Sequence, residues 1–197
     1  SMYTNSLRLL LCILLFTPSF LMAGEADSVV QTIEKALEEY KQQDFTNAAN
    51  SLDYASRLIR QKKGEALGKL LPEPLAGWTA GESSSLVTMA SLFGGGLTAE
   101  RTYVKENASV KISIVTDSPL LQSMIMMFSN PIFASSTGQF ELINGHKGIV
   151  NYRNGGGDIN IVVNNRFIVT LNGRDVTREE LMNYARAIDL NAIAALP

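Results

Sequence analysis

The sequence predicts an α+β protein: an antiparallel twisted sheet with helices packed on one face, preceded by an N-terminal helical hairpin. Three observations carry that prediction. Apolar residues recur at helical spacing twice before residue 71. After a Pro-rich joint the period drops to two, with β-branched residues. Three dipeptides suited to tight hairpins, Asn144-Gly145, Asn154-Gly155 and Asn164-Asn165, then separate short apolar runs.

The first helix is expected over residues 28–41. Val29, Val30, Ile33, Ala36, Leu37 and Tyr40 form its stripe, while Glu34, Glu38 and Lys41 fall elsewhere. Ser28 with Gln31 three residues on fits a capping box. The second helix follows Asp44, a plausible N-cap, with Ala48, Ala49, Leu52, Ala55, Leu58 and Ile59 on one side. It can run through Gln61 toward Leu70 before Pro72 and Pro74 stop it. Around Tyr40, Asp44-Phe45 and Ala48-Ala49 the pair resembles a single tetratricopeptide-type unit. One unit cannot form an array, because such repeats need about three copies to bury their faces. A docked or protruding hairpin is therefore expected.

LPEPLAG, Leu71 to Gly77, is the joint. Beyond it, Leu97–Val104 and Ala108–Val115 read as strands with Lys105-Glu106-Asn107 as the turn between them. Ser118 to Pro131 reads as one short helix bounded by prolines. QFELI, KGIVNYR, DINIVV and RFIVTL follow as a strand meander, the Asn and Gly dipeptides supplying the positive φ that tight turns need. A closing helix starts near Thr177, where Thr177 and Glu180 fit a capping box ahead of Leu181, Tyr184, Ala185 and Ile188. The division is thus a leader at 1–23, a hairpin at 24–71, the joint at 72–77 and a sheet domain at 78–197.

Over residues 78–190 this order resembles the sheet-and-helix domains typified by the PsbP extrinsic photosystem protein and similar bacterial extracytoplasmic domains. The stretches that carry the resemblance are Trp78, the Leu97–Val115 hairpin, Gly145 to Leu171 and Ala187-Ile188-Asp189-Leu190. The resemblance implies an accessory or binding module without catalysis. The helical hairpin lies outside it.

Export is the expected destination. Arg8 supplies a positive start, Leu9 to Phe16 an apolar run, and Met22-Ala23-Gly24 small residues ahead of the first acid, Glu25. That order is a signal peptide, with an uncleaved anchor as the alternative, and it points to the periplasm. Arg8 is the one base before Ala23, so the remaining chain carries 16 bases against 19 acids, a formal −3. A mildly acidic chain gives no electrostatic reason to bind nucleic acid. The one cysteine, Cys12, lies in the leader, so its removal excludes disulfides, thiolate catalysis and Cys-based metal sites.

The candidate sites are few. Met124, Met126, Met127 and Phe128 sit on a stretch apolar nearly all round, together with Leu120, Leu121 and Ile125. Such a helix is core, or it faces a partner or ligand. Met124 with Met127 at i, i+3 also has the soft-ligand spacing for Cu(I). His146, the only histidine, is the one plain base near neutral pH, and a hydrolase using it is the enzymatic alternative. Gly94-Gly95-Gly96 and Gly155-Gly156-Gly157 lack the Lys-Ser/Thr of a phosphate loop and read as flexible hairpin loops. Apolar Leu86–Phe93 precedes the first. Arg57, Arg60, Lys62 and Lys63 read as a solvated helix end complementing the helix dipole, with membrane-surface contact as the alternative. The expectation is a non-enzymatic, cofactor-free periplasmic binding or accessory protein. Met124, Met127, Phe128, Phe93 and Gly95 would contact a protein partner in the cell envelope or a small apolar ligand, and the hairpin would supply a second surface.

Overall fold

The computed structural model describes residues 27–86 and 96–197. The leader, Phe93, Gly94 and Gly95 lie outside the described residues. The α+β class is borne out. Helices α1 (Ser28–Lys41) and α2 (Phe45–Gly68) precede strands β1 (Thr79–Ala80), β2 (Ser84–Leu86), β3 (Leu97–Lys105) and β4 (Ala108–Thr116). Then come α3 (Leu121–Ser129), α4 (Pro131–Thr137) and four strands: β5 (Gln139–Ile143), β6 (His146–Arg153), β7 (Gly156–Val163) and β8 (Phe167–Arg174). The closing helices are α5 (Arg178–Ala187) and α6 (Leu190–Ala194).

All strand pairings are antiparallel, in the order β1-β3-β4-β8-β7-β6-β5, with β2 also on the β3 edge. The hairpin turns use the residues expected of them. Asn144, Asn154, Asn164 and Asn165 have φ between 48° and 51°, and Glu106 has φ 53°. The short asparagine side chain tolerates this left-handed region, so the four asparagines close tight connections between twisted strands.

Strand alternation splits the sheet into two unlike faces. Ala99, Tyr103, Ile112, Ile114, Ile161, Val169 and Leu171 point to one side, where they share a core with Leu67, Leu71, Trp78, Leu181, Tyr184 and Ile193. The hairpin, the joint and the closing helices therefore all contribute to one buried core. The helical cover is not confined to that face. Leu121 and Ile125 of α3 pack on Ile168, with Val115, Met124, Phe128 and Val162 around them, and these strand residues have the opposite parity.

Four local expectations are corrected. The stretch 118–131 is not one helix: α3 ends at Ser129, and Asn130 accepts a hydrogen bond from Ile132 N–H to cap α4, with Pro131 in its first turn. Proline begins a helix here because its missing N–H is not needed in the first turn. The cap of α1 is Asp27, whose carboxylate accepts from Val29 N–H at 3.0 Å, and not Ser28. Only Gly155 occupies a turn, at φ 84°, while Gly156 and Gly157 belong to β7. A Cβ on Gly157 would stand 2.2 Å from the Asn151 carbonyl oxygen, so close backbone approach explains that glycine. Finally, α2 continues to Gly68 with no base in its last turn. Lys62 and Lys63 instead pair with Asp27 and Asp117 at 3.6 and 2.7 Å.

Candidate functional site

Among the described residues, the face opposite the main core is only partly covered, by the short helices α3 and α4. That leaves a groove on each flank. On the β5–β6 side, Phe140, Leu142, Ile149 and Val162 form the floor, and Phe128, Ser129 and Pro131 form the wall. The groove encloses about 660 Å³. Polar side chains reach it from Lys147, Asn160 and Asn165 of the floor and Ser129 of the wall. Register explains the floor. Phe140 pairs with Ile149 and Leu142 with Lys147, so alternate residues of two neighbouring strands present a mostly apolar strip.

The floor is also exposed at its edge, where Leu142 is 74% accessible. The narrower groove on the other flank holds about 270 Å³, between Leu121 and Met124 of α3 and Glu100, Lys111, Val115 and Thr170 of the sheet. There Lys111 pairs with Glu100 at 2.8 Å, so its charged groups satisfy each other.

These grooves divide the residues singled out in the sequence. Phe128 walls the larger one, Met124 lines the smaller one, and Met127 is half exposed beside them. Met124 and Phe128 are half-buried against Leu121 and Ile125, so the helix serves both as packing and as surface. His146 adjoins the larger groove, but its ring Nε2 lies 3.2 Å from Asn191 Oδ1 of α6. Strand parity points its side chain to the helix-covered face and gives Lys147 and Ile149 to the groove floor. The structure therefore does not bring Met124, Met127 and His146 together. Among the described residues no three His, Cys, Asp or Glu side chains converge as a metal cage.

Sequence reasoning missed Phe140, Leu142, Ile149 and Val162. The signal was present in QFELI, where Phe140 and Leu142 share one parity and Ile143 takes the other, an apolar pattern on both faces. It shows as a site only when β6 and β7 lie alongside.

Among the described residues, no helix is long and apolar enough to cross a membrane. Among the described residues, the geometry is that of an α+β protein with an apolar groove between the sheet and the short helices α3 and α4. No family model, curated protein or solved structure matches the chain.

Proposed function

We propose that this chain is an exported, periplasmic, non-enzymatic binding protein whose larger groove receives apolar side chains of a protein partner. The observation that carries the reading is an apolar strip, exposed at Phe140 and Leu142 and buried at Ile149, that is continuous with the Phe128–Pro131 wall. A concave, mostly apolar groove with a few polar groups is the form that docking sites take. The leader-type sequence at 7–23 supports export. The resemblance to extracytoplasmic accessory domains agrees with a binding role.

A second reading is favoured by the groove's size. A space of about 660 Å³ lies within the range of small-molecule sites, roughly 300–1,000 Å³. A small apolar ligand would then lie on Ile149 and Val162, with Lys147 and Asn160 at its polar end.

Two variants test both readings. Leu142→Asp changes an exposed rim position and Phe128→Ser opens the wall. Capture of a defined envelope partner by wild type, lost in Leu142→Asp with an unchanged melting curve, supports the protein reading. Saturable uptake of an apolar fluorescent dye, lost in both variants, supports the ligand reading. Folded variants that keep all binding of both kinds would overturn the proposal.

A further inference from the structure

The helical hairpin carries a second apolar surface, separate from the groove. Its seam is made mostly of small residues: α1 buries Val29 and Ala36, and the facing part of α2 buries Ala48, Ser51 and Ala55. Small residues let the helices approach closely and leave the large side chains outside. Val30, Ile33, Leu37 and Tyr40 of α1, and Phe45, Leu52 and Ile59 of α2, are each between 43% and 62% exposed. On α1 they follow the 3-4-3 spacing of a coiled-coil seam, and on α2 they stand seven residues apart.

These two stripes lie on the same side. At about 100° per residue each stripe is offset from the buried seam by roughly a quarter turn in the same rotational sense, and in an antiparallel pair that is one side. Tyr40 and Phe45 confirm the junction, with ring centroids 5.6 Å apart. Cross-helix contacts set the level: Ser51 Oγ donates to Glu39 at 2.7 Å, and Lys62 meets Asp27 at 3.6 Å. Leu37 is thereby level with Leu52, and Val30 with Ile59.

We infer that this face is occupied by the same face of a second copy of the chain, giving a four-helix bundle at the centre of a dimer. Area supports it. At about half exposure and roughly 150–200 Å² per large side chain, seven residues present on the order of 600 Å² per copy. Two such faces together remove about 1,200 Å², which reaches the size of specific protein interfaces. Seven-residue spacing favours a helical occupant, because a knob every second turn fits the holes of another helix.

The rim of this face is charged. Glu34 and Lys41 lie on the outer rim of α1, and Asp53 and Arg60 on the outer rim of α2. A two-fold axis along the bundle sets α1 of one copy antiparallel to α2 of the other at equal level. The rim between them then reads Arg60, Glu34, Asp53, Lys41, two acids bracketed by two bases. At these levels each base stands five residues, roughly 7–8 Å along the axis, from an acid of the other copy, and the two acids stand about 3 Å apart along it.

Sedimentation equilibrium on the full chain carrying Cys12→Ser tests this. A dimer is expected, with Leu37→Glu plus Leu52→Glu weakening self-association at least tenfold and leaving the melting curve unchanged. Leu142→Asp, in the groove, leaves the dimer intact. Glu34→Cys plus Arg60→Cys adds a geometric reading that does not depend on core changes. Within one hairpin these positions face opposite sides, so a short thiol-specific bifunctional reagent links them only between copies. A monomer at high concentration, a dimer that survives both glutamates, or a dimer in which this pair does not cross-link would each overturn the inference. A monomer that loses stability on Leu37→Glu would mean that the chain covers its own face, which also overturns it.

Discussion

Glu180 accepts a hydrogen bond from the Thr177 backbone N–H and pairs with Lys105, while Thr177 Oγ1 accepts from the Glu180 N–H. The Lys105 ammonium first, and the Thr177 N–H second, hold this carboxyl below its ordinary pKa. A carboxylate with a lower pKa folded than unfolded stabilises the fold above the ordinary carboxylate range. That contribution is lost as pH falls through the depressed value. Glu180→Gln should lower the urea midpoint near pH 7 and flatten the fall of that midpoint in acid. An unchanged acid limb would assign the pH dependence elsewhere. Thr177→Ala should cost about 0.5–2 kcal/mol, read from the same titration. This box was legible because its partners are three residues apart. Gly157 was not, because its reason is the Asn151 carbonyl on another strand. Gly157→Ala should therefore destabilise well beyond the usual glycine-to-alanine change, which would show as a lowered melting temperature.

At the scale of elements, the Pro-rich joint is tied to the sheet domain by side chains that follow it in sequence. Tyr103 Oη donates to the Pro72 carbonyl at 2.6 Å, and Arg101 donates to the same oxygen at 3.1 Å. Leu75 N–H donates to Tyr184 Oη at 3.2 Å, and Tyr184 stacks near Tyr103 and Trp78 with centroids 4.5 and 5.1 Å away. Burial pushes both tyrosine hydroxyls above their ordinary pKa, so they stay protonated at neutral pH. Tyr184→Phe should cost about 1 kcal/mol by chemical denaturation, since Leu75 N–H then loses its acceptor. Tyr103→Phe should cost less, because Arg101 still serves Pro72. Proline marked the joint in the sequence, but its partners lie in β3 and α5 and became visible only through tertiary packing. The same limit applied to Pro131. As a stop signal it was misread, whereas Asn130 before it has the chemistry of an N-cap.

For the whole molecule, class and element order followed from periodicity and turn chemistry. Which apolar stripe is covered did not. The α1 stripe fits a docked or a protruding hairpin equally, and only Val29 and Ala36 of that helix are buried. The reason is position: α2 reaches the main core near Leu67, and the tip of the hairpin stands away from the sheet. A period reports that a face needs cover and leaves open whether the same chain provides it. The two exposed apolar regions predict separable behaviour. Changes at Leu37 and Leu52 should alter self-association, and changes at Leu142 should alter binding to other molecules.

The strand order carries a consequence for how the chain reaches this state. Strands β5 to β8 form a meander of sequence neighbours, and β3 and β4 form a hairpin of their own. Only the β4–β8 ladder joins the two, as where Ile112 lies opposite Leu171. Closing that ladder brings together residues about 60 positions apart, whereas each hairpin closes within a few, so the seam sets the folding rate. We predict that the meander condenses early and that capture of β4 by β8 limits the rate. Val169→Ala and Ile114→Ala, at paired positions of the seam, should then mainly slow folding, whereas mainly faster unfolding would show that the ladder zips after the barrier. Stopped-flow kinetics distinguish these, and equal slowing by turn changes at Asn154 would show that the meander is the slow step instead.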